Sequence, residues 1–314
     1  MKKALIILAA SMAMSGLSAK ADDFKYDVIP MPKTISMAEK GHFQINAKTV
    51  ITCQDAALMK DAAFLAEFIQ EETGQRPEIK EGGQCRNSID INIDKNLDPE
   101  GYRMEIGKNG VRISAGAPAG VFYAAQTLRK SLAVTKELPA ATIEDAPEFH
   151  SRGAHFDVSR HFFTVDEVKT YLDMMALHNM NTFHWHLTDN PAWRIECRAY
   201  PELNNPANHR PGRDEGKFYS YQEIHELIAY AKERGIQIIP EIDMPGHSQY
   251  FKTTFGCDMA SEKGKQILKV CLEEFFGEIT KEECPYFHIG SDEVHVENPE
   301  DFMHFCEQIV LANG

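Results

Sequence analysis

Four short stretches of this chain set acids, histidines and an arginine at spacings that could do chemistry. In YFHIGSDEV (286–294) a strand-like run gives way at Gly290 and Ser291 to two adjacent carboxylates, Asp292 and Glu293. Consecutive acids leave a strand end together, so they cannot easily straddle a sugar ring as paired glycosidase carboxylates do, about 5 Å apart or more. One of them can protonate a leaving oxygen. A nucleophile would then have to come from another strand, from water or from the substrate itself. Close like charges also push one pKa upward, which suits an acid that must keep its proton near neutral pH. FHWHLTD puts His184 and His186 on one strand face, because strand side chains alternate, and HxH at a strand end can be a metal pair. With His247 and Asp292 it would suggest a metal-dependent hydrolase; the plainer reading is hydrogen bonding inside a polar barrel mouth. PEIDMPGH gathers Glu241, Asp243 and His247 around a Pro-Gly turn that would aim His247 inward. FDVSR ends on Arg160, whose guanidinium could fork to hydroxyls or to a wall carboxylate such as Asp157.

The elements around these stretches alternate. RGAHFDVS precedes the helical pattern TVDEVKTYLDMMALHN, and NTFHWHLTD precedes a long loop and SYQEIHELIAYAKERG. IQIIPEID precedes KGKQILKVCLEEFFGEI, and YFHIGSDEV precedes PEDFMHFCEQIVLA. Strand, loop and helix in repetition imply parallel βαβ units, and every reactive cluster falls at a strand's C-terminal end, the catalytic face of a (β/α)8 barrel. About four units are legible, and a parallel sheet of four strands would leave open edges. The expectation is therefore a fragment, with a half-barrel that dimerises as the alternative.

Upstream the pattern is mixed. TVITC and SIDINI read as strands, and AALMKDAAFLAEFIQEETG as a helix closed by glycine. GYRMEIGKNGVRISAG reads as a hairpin turning at KNG, and APAGVFYAAQTLRKSL as a helix with Val121, Ala124, Ala125 and Leu128 on one stripe. IEDAPEFHSRG looks like the junction. The fold class is thus α/β: an N-terminal α+β domain over residues 22–147, then the first half of a (β/α)8 TIM barrel over 148–314.

Residues 1–21 have a basic start, an apolar core and AKA at Ala21, the pattern of a cleaved export signal. That apolar run is too short to span a bilayer. An exported protein, periplasmic or secreted, is expected. The net charge of −14 repels nucleic-acid phosphates and is compatible with a neutral substrate. Seven cysteines lack any CxxC spacing; Cys53 and Cys85 could pair, or all could be buried free thiols.

Taken together and in order, RGAHFDVSRHFF, NTFHWHLTDNPAWRIE, IQIIPEIDMPGHS and HIGSDEV resemble the family 20 glycoside hydrolases, the β-N-acetylhexosaminidases. The hairpin and helix before them resemble that family's N-terminal domain, so the resemblance covers nearly the whole mature chain. It implies an exo-acting enzyme that releases terminal GlcNAc or GalNAc from glycans or chitin oligomers. In that family the sugar's acetamido oxygen attacks its own anomeric carbon. The resemblance assigns Glu293 as the acid that protonates the glycosidic oxygen and then activates water. Asp292 would orient the acetamido group and stabilise its developing charge. Arg160 would grip hydroxyls of the terminal sugar, Asp189 and His247 would support the acid, and Asp243 and Glu241 would support the pocket wall. No cofactor and no metal are implied.

The chain departs from the family at Asn190, where many relatives have a second aspartate, and the family's later pocket-lining aromatic residues fall beyond these motifs. Two further readings stand beside the glycosidase: a metal-dependent amidohydrolase-like barrel, and a carbohydrate-binding remnant without catalysis. Homodimerisation is left open.

Overall fold

The computed structural model describes residues 24–313, which divide between two compact units at Glu148 and Phe149. The expected export signal lies outside the described residues. Among those residues no helix is long and apolar enough to cross a membrane.

The first unit is a seven-stranded mixed sheet with two helices packed together on it. Its strands are β1 (Thr34–Gln44), β2 (Val50–Cys53), β3 (Glu78–Glu81), β4 (Ser88–Ile93), β5 (Tyr102–Gly107), β6 (Gly110–Ala115) and β7 (Glu137–Asp145). They lie in the order β1-β7-β5-β6-β4-β2-β3. Helix α1 (Met59–Thr73) buries Ala62, Leu65, Ala66 and Ile69, one face at helical spacing, and stops at Gly74 in the left-handed conformation. Helix α2 (Pro118–Val134) starts on proline and buries the expected stripe of Val121, Ala124, Ala125 and Leu128.

Two details depart from expectation, and the open alternative on the cysteines is decided for free thiols. The hairpin turns at Lys108 and Asn109, with Gly107 paired to Gly110, so Gly110 opens β6 instead of sitting in the turn. A side chain there would put its Cβ 2.3 Å from the Ser88 carbonyl oxygen, which is why the position is glycine. The sequence IED belongs to β7, not to a linker, because it pairs with β1 and β5. Cys53 and Cys85 are free: Cys53 is buried with its sulfur 3.4 Å from that of Met59, and Cys85 is exposed.

The second unit begins with β8 (Gly153–Asp157), β9 (Thr182–His186) and, after a two-residue hairpin of β10 (Thr188–Asp189) and β11 (Ala192–Trp193), β12 (Gln237–Glu241). β8, β9 and β12 form a parallel sheet in chain order, with His155 opposite His184 and both Asp157 and Glu241 opposite His186. Helix α3 (Val165–Leu177) returns the chain from β8 to β9, and α4 (Tyr221–Glu233) from β11 to β12. Each opens with a reciprocal capping box, Thr164 with Glu167 and Ser220 with Glu223. A short α5 (Gln249–Phe255) precedes α6 (Glu262–Glu278) and α7 (Pro299–Ala312).

The expected fourth strand is reduced to one bridge, between Glu241 and His288. Backbone bonds follow it from His288 N to Pro240 O, from Ile242 N to His288 O and from Met244 N to Ile289 O. Pairing fails beyond Ile289 because Gly290, Ser291 and Glu293 all have positive φ, of 65°, 85° and 48°. Only the glycine adopts such angles without strain.

Candidate active site

All the expected functional side chains converge at the C-terminal ends of β8, β9 and β12. Register does most of this work, since one layer across the sheet holds Asp157, His186 and Glu241. His186 is buried, and its ring joins two acids: Nδ1 lies 2.8 Å from Glu241 Oε2 and Nε2 lies 2.9 Å from Asp189 Oδ2. His184 Nε2 reaches the same Glu241 oxygen at 2.7 Å. Arg160 spans Asp157 and Asp189, with Nη1 2.6 Å from Asp157 Oδ2 and Nη2 2.7 Å from Asp189 Oδ2.

These contacts set the charges. Burial alone would raise the Glu241 carboxyl, but the hydrogen bonds of His184 and His186 outweigh it and hold the group far below the usual range. Burial likewise disfavours a charged His186, yet its bonds to Asp189 and Glu241 prevail and push its pKa up to about 10. Asp189 is lowered: burial opposes ionisation, and the His186 bond and Arg160 charge overcome it.

His247 stands at the far side of Asp189, with Nδ1 3.5 Å from Asp189 Oδ1. Its Nε2 faces the acid pair, 3.5 Å from Glu293 Oε2 and 3.8 Å from Asp292 Oδ1. Among the described residues neither ring nitrogen makes a hydrogen bond. Its φ of 46° turns the ring inward, as the Pro-Gly turn suggested. Asp292 and Glu293 are the exposed members, at 69% and 78% of their side-chain surface.

Two expectations need correction. Glu241 and Asp243 were expected to support the pocket wall as substrate-binding residues, but both are buried, Asp243 completely, so they act from behind the wall. Asp243 Oδ1 accepts the Ser291 N–H at 3.0 Å, and its own N–H bonds Thr188 Oγ1 at 3.0 Å. Its role is to hold the 288–293 segment from behind. Burial, with the neighbouring Asp292 and Glu241 charges adding to it against the Ser291 bond, pushes Asp243 up to about 6. The HxH metal set fails on geometry: the two histidines close on Glu241, and His247 gathers with Asp292 and Glu293 instead. Smaller groups, among them His155, His184 and Glu241, do lie within ion-sharing distance.

Sequence reasoning missed four contributors. His155 and His288 flank Glu241 at 3.8 and 3.4 Å. Thr188 receives Asp243. Arg194, wholly buried, donates to the carbonyls of Ser159, Arg213, Asp214 and Lys217 and so ties the loop before α4 to the strand end that carries Arg160. Its signal was an arginine inside the apolar run PAWRI. Asn190 bridges backbone, its Oδ1 accepting the Gln249 N–H at 3.2 Å.

A parallel βα sheet with acids, an arginine and histidines at its C-terminal rim, and no glycine-rich phosphate cradle among these elements, has the architecture of a hydrolytic barrel enzyme. Residues 149–310 match the glycosyl hydrolase family 20 catalytic domain and residues 25–146 match domain 2 of the same family. The chain belongs to glycoside hydrolase family 20.

It is 31% identical to a beta-hexosaminidase of Porphyromonas gingivalis, over 99% of this chain and 44% of that protein. With a beta-hexosaminidase of Vibrio furnissii it shares 34% identity over 71% of this chain and 38% of the relative. Among solved structures it resembles the β-N-acetylhexosaminidase of Streptomyces coelicolor, with TM-score 0.79 and 28% identity, covering 91% of this chain and 64% of that one. It also resembles a Vibrio harveyi exo-β-N-acetylglucosaminidase in complex with N-acetylglucosamine, with TM-score 0.75 and 26% identity over 90% and 50%. The chain spans less than half the length of these curated relatives.

Proposed function

We propose that the full-length protein carrying this chain is an exo-acting β-N-acetylhexosaminidase, hydrolysing terminal GlcNAc or GalNAc from glycans or chitin oligomers with retention, assisted by the substrate. One observation carries this reading: two adjacent acids, Asp292 and Glu293, face a single inward histidine, His247, that is backed by Asp189. Adjacent acids cannot flank a sugar ring, so the second carboxylate is free to act on a neighbouring part of the same sugar. Glu293 donates its proton to the glycosidic oxygen while the substrate's acetamido oxygen closes on the anomeric carbon. Asp292 orients that acetamido group and stabilises positive charge on its nitrogen. Glu293 then takes a proton from the water that opens the cyclic intermediate. His247, between Asp189 and Glu293, compensates the changing charge of the acid through both steps. Arg160, half exposed, takes hydroxyls of the terminal sugar while Asp157 and Asp189 fix its plane.

The names of the relatives support the substrate class, and the first 21 residues support export to the periplasm or the medium. With both acids exposed, the 314-residue chain alone is expected to turn over weakly, since catalysis needs the substrate held in place.

The test is Glu293→Gln in the full-length protein, assayed on a chromogenic N-acetylglucosaminide and on the matching glycoside without its acetamido group. Expected is a loss of roughly 10²–10⁴-fold on the first substrate and negligible wild-type turnover of the second. Unchanged turnover in the variant removes Glu293 as the acid. Equal wild-type turnover of both glycosides removes substrate assistance.

A further inference from the structure

We infer that His186 is a positioning residue for the acid: held between Glu241 and Asp189, it fixes which Asp189 oxygen is left to His247 and, through His247, the proton supply of Glu293. This rests on the assignment of Glu293 above. It adds a link that neither the exposed acid pair nor the Asp189–His247 pair contains.

The geometry is a row of alternating acid and base, hydrogen-bonded from Glu241 to Asp189 and within ion-pair distance from there to Glu293. Glu241 Oε2 meets His186 Nδ1 at 2.8 Å, and His186 Nε2 meets Asp189 Oδ2 at 2.9 Å. Asp189 Oδ1 lies 3.5 Å from His247 Nδ1, and His247 Nε2 lies 3.5 Å from Glu293 Oε2. His186 and Arg160 both take Oδ2 of Asp189, while Oδ1 accepts the Asn190 N–H at 2.6 Å and faces His247. The carboxylate is thus pinned on one oxygen and presents the other. A ring with a carboxylate at each nitrogen must donate at both, so His186 is an imidazolium.

The groups around it bear this out. Glu241 on β12, Asp243 just after it, Asp189 on β10 and Asp157 on β8 are acids; His155 on β8 and His184 on β9 are the rings nearby, and Arg160 is a guanidinium beyond Asp189. Burial keeps His155 below its ordinary value, and the His184 and His186 charges add to this. So the geometry puts the positive charge on His186, and the surroundings disfavour it on His155. With that charge in place Asp189 stays ionised, and an ionised Asp189 keeps the proton of His247 on Nδ1. Nε2 is then left to exchange a proton with Glu293.

The experiment uses the full-length protein with ¹⁵N-labelled histidine, as wild type and as His186→Gln, whose amide can reach only one of the two acids. In the wild type we expect two downfield ring N–H signals persisting to pH 8 and absent from the variant. The variant should lose kcat on the order of 10²-fold, less than a Ser-His-Asp site loses with its orienting carboxylate. KM should stay within a few-fold, and the pH profile of kcat should shift. A variant with unchanged kcat and pH profile, or a wild-type His186 with one ring N–H at pH 7, overturns the inference. If His186→Gln does not fold, the wild-type titration alone decides, because a neutral ring cannot clamp both acids. If the wild type fails to cleave the N-acetylglucosaminide, the proposed function falls while the ring signals still judge the clamp.

Discussion

Gly290 lies against Asp243 so closely that a Cβ on the glycine would sit 1.9 Å from the aspartate's Oδ1. The same oxygen accepts the Ser291 N–H, so the turn carrying the two acids is moulded onto a buried carboxylate. Gly290→Ala must therefore push the segment away and also force alanine into φ +65°. A loss of roughly 1–3 kcal/mol is expected from the backbone alone, read as a lower denaturation midpoint. In the full-length protein kcat should fall with it, because Asp292 and Glu293 follow Gly290. An alanine variant with wild-type midpoint and kcat would show that the turn is not held this way.

Asp243 predicts a pH signature. Its carboxyl is raised to about 6, above the unfolded value of about 3.9, so the folded state binds the proton more tightly than the unfolded one. Stability therefore falls as pH rises from about 4 to 6 and the contribution is flat above that. Glu241 acts in the opposite sense and in a lower window, its stabilisation disappearing only as pH falls below about 4.3. Urea midpoints from pH 4.5 to 7 should carry the slope in the wild type and lose it in Asp243→Asn. A slope that survives the substitution assigns it to another group.

Much of this arrangement was legible beforehand because spacing alone fixes it. His184 and His186 share a face by strand alternation, and Glu241 reaches them by parallel register. What the sequence hid follows from long-range packing. β1 is almost wholly exposed and shows no alternation, so only its pairing with β7 reveals it as a strand. YFHI reads as a fourth strand ending at Gly290, and nothing local announces that it shrinks to one bridge or that Ser291 and Glu293 take positive φ. Burial of Asp243 depends on a turn 47 residues away arriving on top of it, which no window of sequence contains.

Asp292→Asn separates orientation from acid catalysis. The amide keeps the shape but loses the charge that the proposed mechanism sets against a developing positive nitrogen. We expect kcat/KM of the full-length protein to drop on the order of 10²–10³-fold on an N-acetylglucosaminide. KM should change much less than kcat, since the lost interaction is made in the transition state. A variant whose KM alone rises would make Asp292 a simple binding residue.

Metal removal should leave activity unchanged. Three of the four nitrogens that an HxH site would offer are occupied: His186 uses both on carboxylates and His184 gives Nε2 to Glu241. An ion entering there would have to displace an imidazolium and break the Glu241 network. Dialysis of the full-length protein against a strong chelator, followed by the glycoside assay, checks this. Activity lost to the chelator and restored by a divalent ion would revive the metal-dependent reading.

Arg194 is a buried cation whose hydrogen bonds, among the described residues, all go to backbone carbonyls. Two of its guanidinium nitrogens serve four carbonyls: Nη1 lies 2.7 Å from Asp214 O and 2.9 Å from Lys217 O, and Nη2 lies 2.9 Å from Ser159 O and 2.6 Å from Arg213 O, while Nε has no partner among the described residues. A planar fork can serve four acceptors in one plane, and an ammonium cannot. Arg194→Lys should therefore leave two or more carbonyls unbonded inside the protein, at a cost on the order of 3 kcal/mol. The Ser159 carbonyl is one residue from Arg160, so the loosened strand end should also misplace Arg160. Limited proteolysis should cut first within the 213–217 loop, and KM for the N-acetylglucosaminide should rise. Arg194→Lys with wild-type protease resistance and KM would mean that the loop is held by Asp214 alone, through its bonds to Phe162 and Lys217.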